Sequence, residues 1–232
     1  PVLLLFLASL LALALFCRCS LRAQTPLINL RVFRRGPFTF SVLVLVLIQF
    51  VCLGLGFLIP NYAQIVSRQE AFLAGCLLLP GCLVGAVLSP VSGRVLDRLG
   101  PERPILLGNL SILVSLVCFS LFAGALTTGA FLVFYLFFAF GQGFSVGTSM
   151  TNGLSHLPPE QNPDGNAVIN TLQQLAGAIG TSVVSTMVAS AQAALPEDLA
   201  AATRLGSQHA FYLLAVLTVG ILCCSIGAFR TG

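Results

Sequence analysis

The chain has 232 residues, of which 57% are hydrophobic and 8% charged, with a formal net charge of +4. A soluble domain carries about 25% charged residues, and a mean hydropathy of +0.99 excludes a soluble fold with a large core. The positive charge comes from eleven arginines and no lysine, set in loops between apolar runs. That is the placement of topology signals, not of a nucleic-acid-binding face.

Seven apolar segments follow one another along the chain. The first, residues 1–17, is apolar from Pro1 and lacks the basic start and small-residue cleavage site of a signal peptide. It reads as the end of a helix belonging to a longer protein. A loop over 18–37 follows, carrying Arg18, Arg22, Arg31, Arg34 and Arg35. The second segment covers 38–60, and a polar loop over 61–70 leads to the third, 71–92. The fourth covers 104–126, the fifth 130–154, the sixth 166–191 and the seventh 209–229. Most reach the ~20 residues that a bilayer-spanning helix needs, and none shows the alternation of a barrel strand. The expected fold is therefore an all-α membrane protein with about seven transmembrane helices.

Between the third and fourth segments lies a charged hinge, 93–103, with Arg94, Asp97, Arg98, Glu102 and Arg103. The segments on both sides carry no charge, so the hinge must sit in water while they sit in lipid. With seven crossings, nine arginines fall on the side of the hinge and two, Arg68 and Arg204, on the other. The hinge side is then cytoplasmic by the positive-inside rule.

Six of the eight cysteines lie inside apolar runs, where they act as small hydrophobes. Cys17 and Cys19 flank Arg18, and two thiols alone do not complete a zinc site. His156 and His209 have no Cys or carboxylate at ligand spacing, so no metal and no cofactor is expected. Hydrolase and nucleotide-binding signatures are also missing. The chain is not expected to be an enzyme.

No helix interior carries a charge, so polar chemistry rests on neutral side chains. On the fifth segment Tyr135, Phe138, Gln142, Ser145, Ser149 and Asn152 recur at spacings of three and four and share one face. On the sixth, Asn166, Asn170 and Gln173 do the same, and the second contributes Gln49. Such groups avoid lipid, and the stripe is expected to line a watery cavity, with Phe144 and Val146 off it. Interhelical hydrogen bonding is the alternative use of the same residues.

Four stretches carry a family resemblance. Residues 25–35, from Thr25-Pro-Leu-Ile-Asn-Leu to Arg35, look like the linker into the C-terminal half of fourteen-helix drug exporters. Gly75-Cys-Leu-Leu-Leu-Pro80 resembles their apolar Gly-to-Pro segment. The hinge, of the form Gly-x-x-x-Asp-Arg-x-Gly, resembles the loop signature of the major facilitator superfamily. Residues 170–180 are similar to the sixth segment of the same group, with Gln173 where an arginine is common.

The resemblance implies a linker-helix end at 1–19, a cytoplasmic linker at 20–37 and a six-helix facilitator-type C-terminal half at 38–232. It implies a secondary active, proton-coupled exporter of multiple drugs or other small molecules, in the cell membrane as a multi-pass protein. Its partners would be the small-molecule substrate, the lipid bilayer and the missing N-terminal half of the same transporter, with no nucleic acid. Gly93, Asp97, Arg98, Gly100 and Arg103 would form its cytoplasmic gate. A seven-helix receptor is the alternative function, although the absence of lysine excludes a retinal Schiff base.

Overall fold

The structure, a computed structural model, describes residues 30–231 together with 7–9, 11, 12, 14, 15 and 18. Six helical stretches among the described residues are long and apolar enough to cross a membrane. They are α1 (Gly36–Ile65), the pair α2 (Ala71–Cys76) and α3 (Leu79–Leu99), α4 (Glu102–Phe122), α5 (Thr128–Ser155), α6 (Asn162–Ala194) and α7 (Leu199–Thr231). In hydrocarbon every backbone amide must be satisfied within the chain, and a helix does so locally. Most of the expected first segment and of the linker at 20–37, with Cys17 and Cys19, lies outside the described residues. A 3₁₀ turn, Leu30–Arg34, leads into α1.

The helices extend beyond the apolar runs because polar caps and prolines, not hydropathy, set their ends. Thr127 Oγ1 accepts from the Ala130 amide and opens α5. Asp198 Oδ1 accepts from the Ala201 amide at 2.9 Å and opens α7 ten residues before its expected start. Pro80 carries no amide hydrogen, and the chain restarts as α3 just before it, leaving α2 as a separate short helix.

The hinge differs from expectation in the same way. Gly93, Arg94, Asp97 and Arg98 ride on the last turns of α3, not on a loop. Only Gly100 and Pro101 make the turn. Gly100 has φ 75°, and its amide closes on the Leu96 carbonyl at 3.0 Å. Such a positive φ is easy for glycine and strained for other residues.

α3 packs on α5, α5 on α1 and α1 on α6, forming a front layer of four helices. α4 and α7 pack on each other behind it, α4 against α5 and α7 against α1 and α6. The two layers are stapled at the end away from the hinge by aromatic rings. Phe119 of α4 meets Phe134 of α5 across the layers with centroids 5.3 Å apart, while Phe119 with Phe211 of α7 at 5.0 Å and Tyr62 of α1 with Phe131 of α5 at 5.3 Å tie each layer internally. The Tyr62 hydroxyl donates to the Ala123 carbonyl at 2.8 Å. Toward the hinge end a second core joins Phe38, Val42 and Leu45 of α1 to Val168 and Ile169 of α6.

A close helix crossing joins α4 and α5. A Cβ on Gly108 would lie 2.7 Å from the Gly141 carbonyl oxygen, and one on Gly141 would collide with the Gly108 carbonyl in return. Small residues at such a crossing let dispersion contacts form between the backbones. Gly108→Val is therefore expected to cost about 1–3 kcal/mol or more by overpacking. Gly56→Ala, whose new methyl would meet nothing within 4 Å, should cost nothing. Thermal unfolding of the purified variants in detergent checks both, and equal melting temperatures for wild type and Gly108→Val would refute the crossing.

Candidate functional site

Two concavities hold several of the polar side chains singled out in the sequence. The first is a groove of about 360 Å³ between α3 and α5. Gly81, Cys82, Gly85 and Ser89 line its α3 wall, and Tyr135, Gln142, Val146 and Gly147 its α5 wall. The two helices touch tightly at two points, where Gly81 lies against the Tyr135 ring and where a Cβ on Gly143 would come within 3.0 Å of Leu88 Cβ, whereas a Cβ on Gly85 or Gly147 would find its nearest neighbour at 3.9 or 3.8 Å. Tyr135 stacks on the fully buried Phe138, ring centroids 5.7 Å apart. Gln142 Nε2 donates to Cys52 Sγ of α1 at 3.2 Å, which ties the groove to α1. An aromatic wall with one amide and an open glycine floor suits a flat, partly apolar ligand.

The rest of the α5 stripe lies elsewhere. Ser145 is fully buried and faces α4, where its hydroxyl donates to Asn109 Oδ1 at 2.6 Å. Asn109 Nδ2 donates in turn to Ser225 Oγ of α7 at 2.7 Å, and Ser225 donates to the Ile221 carbonyl. Ser145 thus belongs to a hydrogen-bonded relay across three helices. Ser149 is also buried, and its hydroxyl has no partner among the described residues. Val146, expected off the stripe, lines the groove. On a helix it stands about 40° from Gln142, and Ser145 about 60° to the other side. The glycine crossing with α4 decides which side is covered.

The second concavity is a polar pocket of about 590 Å³ at the hinge end. It gathers Arg98, Gly100, Glu102 and Arg103 of the hinge, Asn152 and His156 from the end of α5, and Ala228 and Phe229 of α7. His156 closes the α5 terminus, its Nδ1 lying 2.7 Å from the Asn152 carbonyl. Asn152 therefore joins the hinge residues, not Tyr135 and Gln142. Gly93 and Asp97 are exposed on α3 outside the pocket lining, and a Cβ on Gly93 would meet nothing.

The remaining candidates are spread over α1 and α6. Gln49 is half-buried on the α1 face that meets Gly177 of α6. Asn170 is exposed, and its amide donates to the Asn166 carbonyl and side-chain oxygen, each at 2.9 Å. Gln173 is half-buried one turn further. Among the described residues no three His, Cys, Asp or Glu side chains gather as metal ligands. Cys52, Asn109, Ser225 and His156 escaped the sequence reading as members of these arrangements. The signal available for Asn109 was its isolation as an amide within the uncharged run 104–126.

Comparison with known proteins places this geometry in context. A family model described as Major Facilitator Superfamily matches residues 2–181. The lincomycin resistance protein LmrB of Listeria monocytogenes is 35% identical over 223 residues, covering 92% of this chain and 47% of that protein. The multidrug export protein EmrB of Escherichia coli is 29% identical over 192 residues, covering 80% of the chain and 36% of the relative. The multidrug efflux pump LfrA of Mycolicibacterium smegmatis is 26% identical over 174 residues, covering 75% and 34%. The chain spans about half the length of LmrB, and a smaller share of the other two.

The relay through Asn109 generates a stability prediction. Asn109→Leu should cost about 0.6–1.7 kcal/mol, the range of single hydrogen bonds between membrane helices. Ser145→Ala on top of it should add almost nothing, because the acceptor is already gone. A double-mutant cycle of unfolding in mixed micelles reads the coupling; additive losses would break the relay.

Proposed function

Because this chain belongs to the Major Facilitator Superfamily, we propose that residues 38–232 act as the C-terminal six-helix half of a small-molecule exporter. The protein is a multi-pass membrane protein, and its proposed place is the cell membrane with the hinge in the cytoplasm. Its proposed substrates are amphipathic, drug-like molecules, in keeping with the names of the resistance and efflux relatives. It moves them without chemical change, so it is not an enzyme. The relatives named above lend no support to the receptor reading.

The observation that carries the proposal is the groove on the front layer, with Tyr135 and Gln142 on its wall. A groove of mixed polarity is a poor surface for lipid and a suitable one for a substrate path. Gln49, Asn170 and Gln173 extend the polar character over α1 and α6. The exposed positions Asn166, Asn170, Gln174, Ser182, Thr186 and Ser190 along α6 also call for cover other than acyl chains. An N-terminal half packed on this layer would supply that cover and close the groove into a cavity. Coupling is proposed to be proton antiport through carboxylates outside residues 38–232, because the helix interiors here hold none.

In a transporter carrying this chain and stripped of native cysteines, Val146→Cys should react with a membrane-impermeant maleimide, and substrate should slow the reaction at least several-fold. Ser145→Cys, covered by Asn109, should stay inert. The reverse pattern would remove the groove from the transport path.

The hinge is proposed to act as the cytoplasmic gate, with the exposed Asp97 meeting a partner across the two halves. Asp97→Asn keeps the side chain's size and removes its charge, so transport should fall about tenfold or more while membrane insertion is retained. Undiminished efflux by a well-expressed variant would reduce the hinge to a topological anchor.

A further inference from the structure

We propose that the hinge-end pocket is a binding site for a phosphate-bearing anion. The pocket encloses about 590 Å³ between the α3–α4 turn, the end of α5 and the last turns of α7. Arg98 and Arg103 line it from the two sides of the Gly100–Pro101 turn, and Glu102 is the one acid in the lining. Two guanidinium groups against one carboxylate leave the lining with an excess of positive charge. Guanidinium is the side chain best matched to phosphate, because its fork of donors meets two oxygens at once.

Asn152 supplies the second, independent sign of a ligand. It is only 8% exposed, lines the pocket, and its side-chain amide makes no hydrogen bond among the described residues. Asn152 holds His156 and Ser155 through its backbone carbonyl alone. The exposed part of this otherwise buried residue opens onto the pocket. An anion held by Arg98 and Arg103 could accept from its amide, and hydrogen bonds to charged groups are among the stronger ones. The first backbone amides of α4 follow Pro101 at the same place, and a helix start favours negative charge.

The phosphate can come from two sources. One is the headgroup of an anionic phospholipid: basic pockets between membrane helices at the cytoplasmic face are suited to such headgroups, and Leu99 and Phe229 give the lining an apolar side. The other is free phosphate or a soluble phosphorylated molecule. Glu102 opposes either, which makes it the most telling residue to change.

The test uses the purified full chain in neutral detergent, with native mass spectrometry after addition of phosphatidylglycerol or of uncharged diacylglycerol, and phosphorus NMR line broadening with inorganic phosphate. Phosphatidylglycerol retained in preference to diacylglycerol, and displaced by phosphate, identifies the lipid headgroup. Phosphate binding without a preference between the two lipids identifies a soluble anion. In either case Arg98→Gln with Arg103→Gln should weaken binding about tenfold or more, and Asn152→Leu about tenfold without a change of net charge. Glu102→Gln should strengthen it several-fold. The last two variants keep the test decisive if the double arginine variant fails to fold. Binding of neither probe, or binding unchanged in Asn152→Leu and Glu102→Gln, would overturn the proposal.

Discussion

The structure depends on one contact, the crossing of α4 and α5 at Gly108 and Gly141. Without side chains between them the two backbones meet directly, and this fixes the rotation of α5 about its own axis. Everything α5 offers follows from that rotation. Ser145 turns into the Asn109–Ser225 relay, and Gln142 and Val146 turn toward α3. A rotation of one residue step would carry Ser145 away from Asn109 and break the relay. Glycine geometry and hydrogen bonding therefore specify the same register, which is the consistency expected of a well-determined fold.

α5 is also the common wall of two unlike sites. Midway along it, Tyr135 and Gln142 face a groove of mixed polarity. Near its end, Asn152 and His156 face a pocket rich in charge. The groove is shaped by what the helices lack, since the glycines at 85 and 147 leave its floor open. The pocket is shaped by what the turn carries, since Gly100 brings Arg98 and Arg103 round to one side. The chain thus separates a groove of mixed polarity from a charged pocket along a single helix.

Hydropathy made six of the crossings legible, together with the order of loops and the excess of arginine at the hinge end. A bilayer demands long apolar runs and rejects charge, so these features are written residue by residue. Helix ends were less legible, because Asp198 and Thr127 cap them with single polar side chains outside the apolar runs. The hinge read as a loop for the same reason: charge marks water, not irregular backbone, and α3 continues through Arg94, Asp97 and Arg98 into water. Periodicity found the polar face of α5 but could not divide it. Ser145 and Val146 are adjacent in sequence, and only the position of α4 decides that the serine is covered and the valine open.

The uneven contact between α3 and α5 has a mechanical consequence. Gly81 meets the Tyr135 ring and Leu88 meets Gly143 without slack, while beyond them toward the hinge the approach loosens at Gly147. That arrangement makes Leu88 a fulcrum and the rest of α3 a lever arm. From Leu88 to Asp97 the arm is about 14 Å long at 1.5 Å per residue. A tilt of about 8° around the fulcrum would shift the tip by about 2 Å, enough to make or break an ion pair, while the contacts at Tyr135 and Gly143 stayed intact. A small rotation at mid-helix is thereby carried to the charged end.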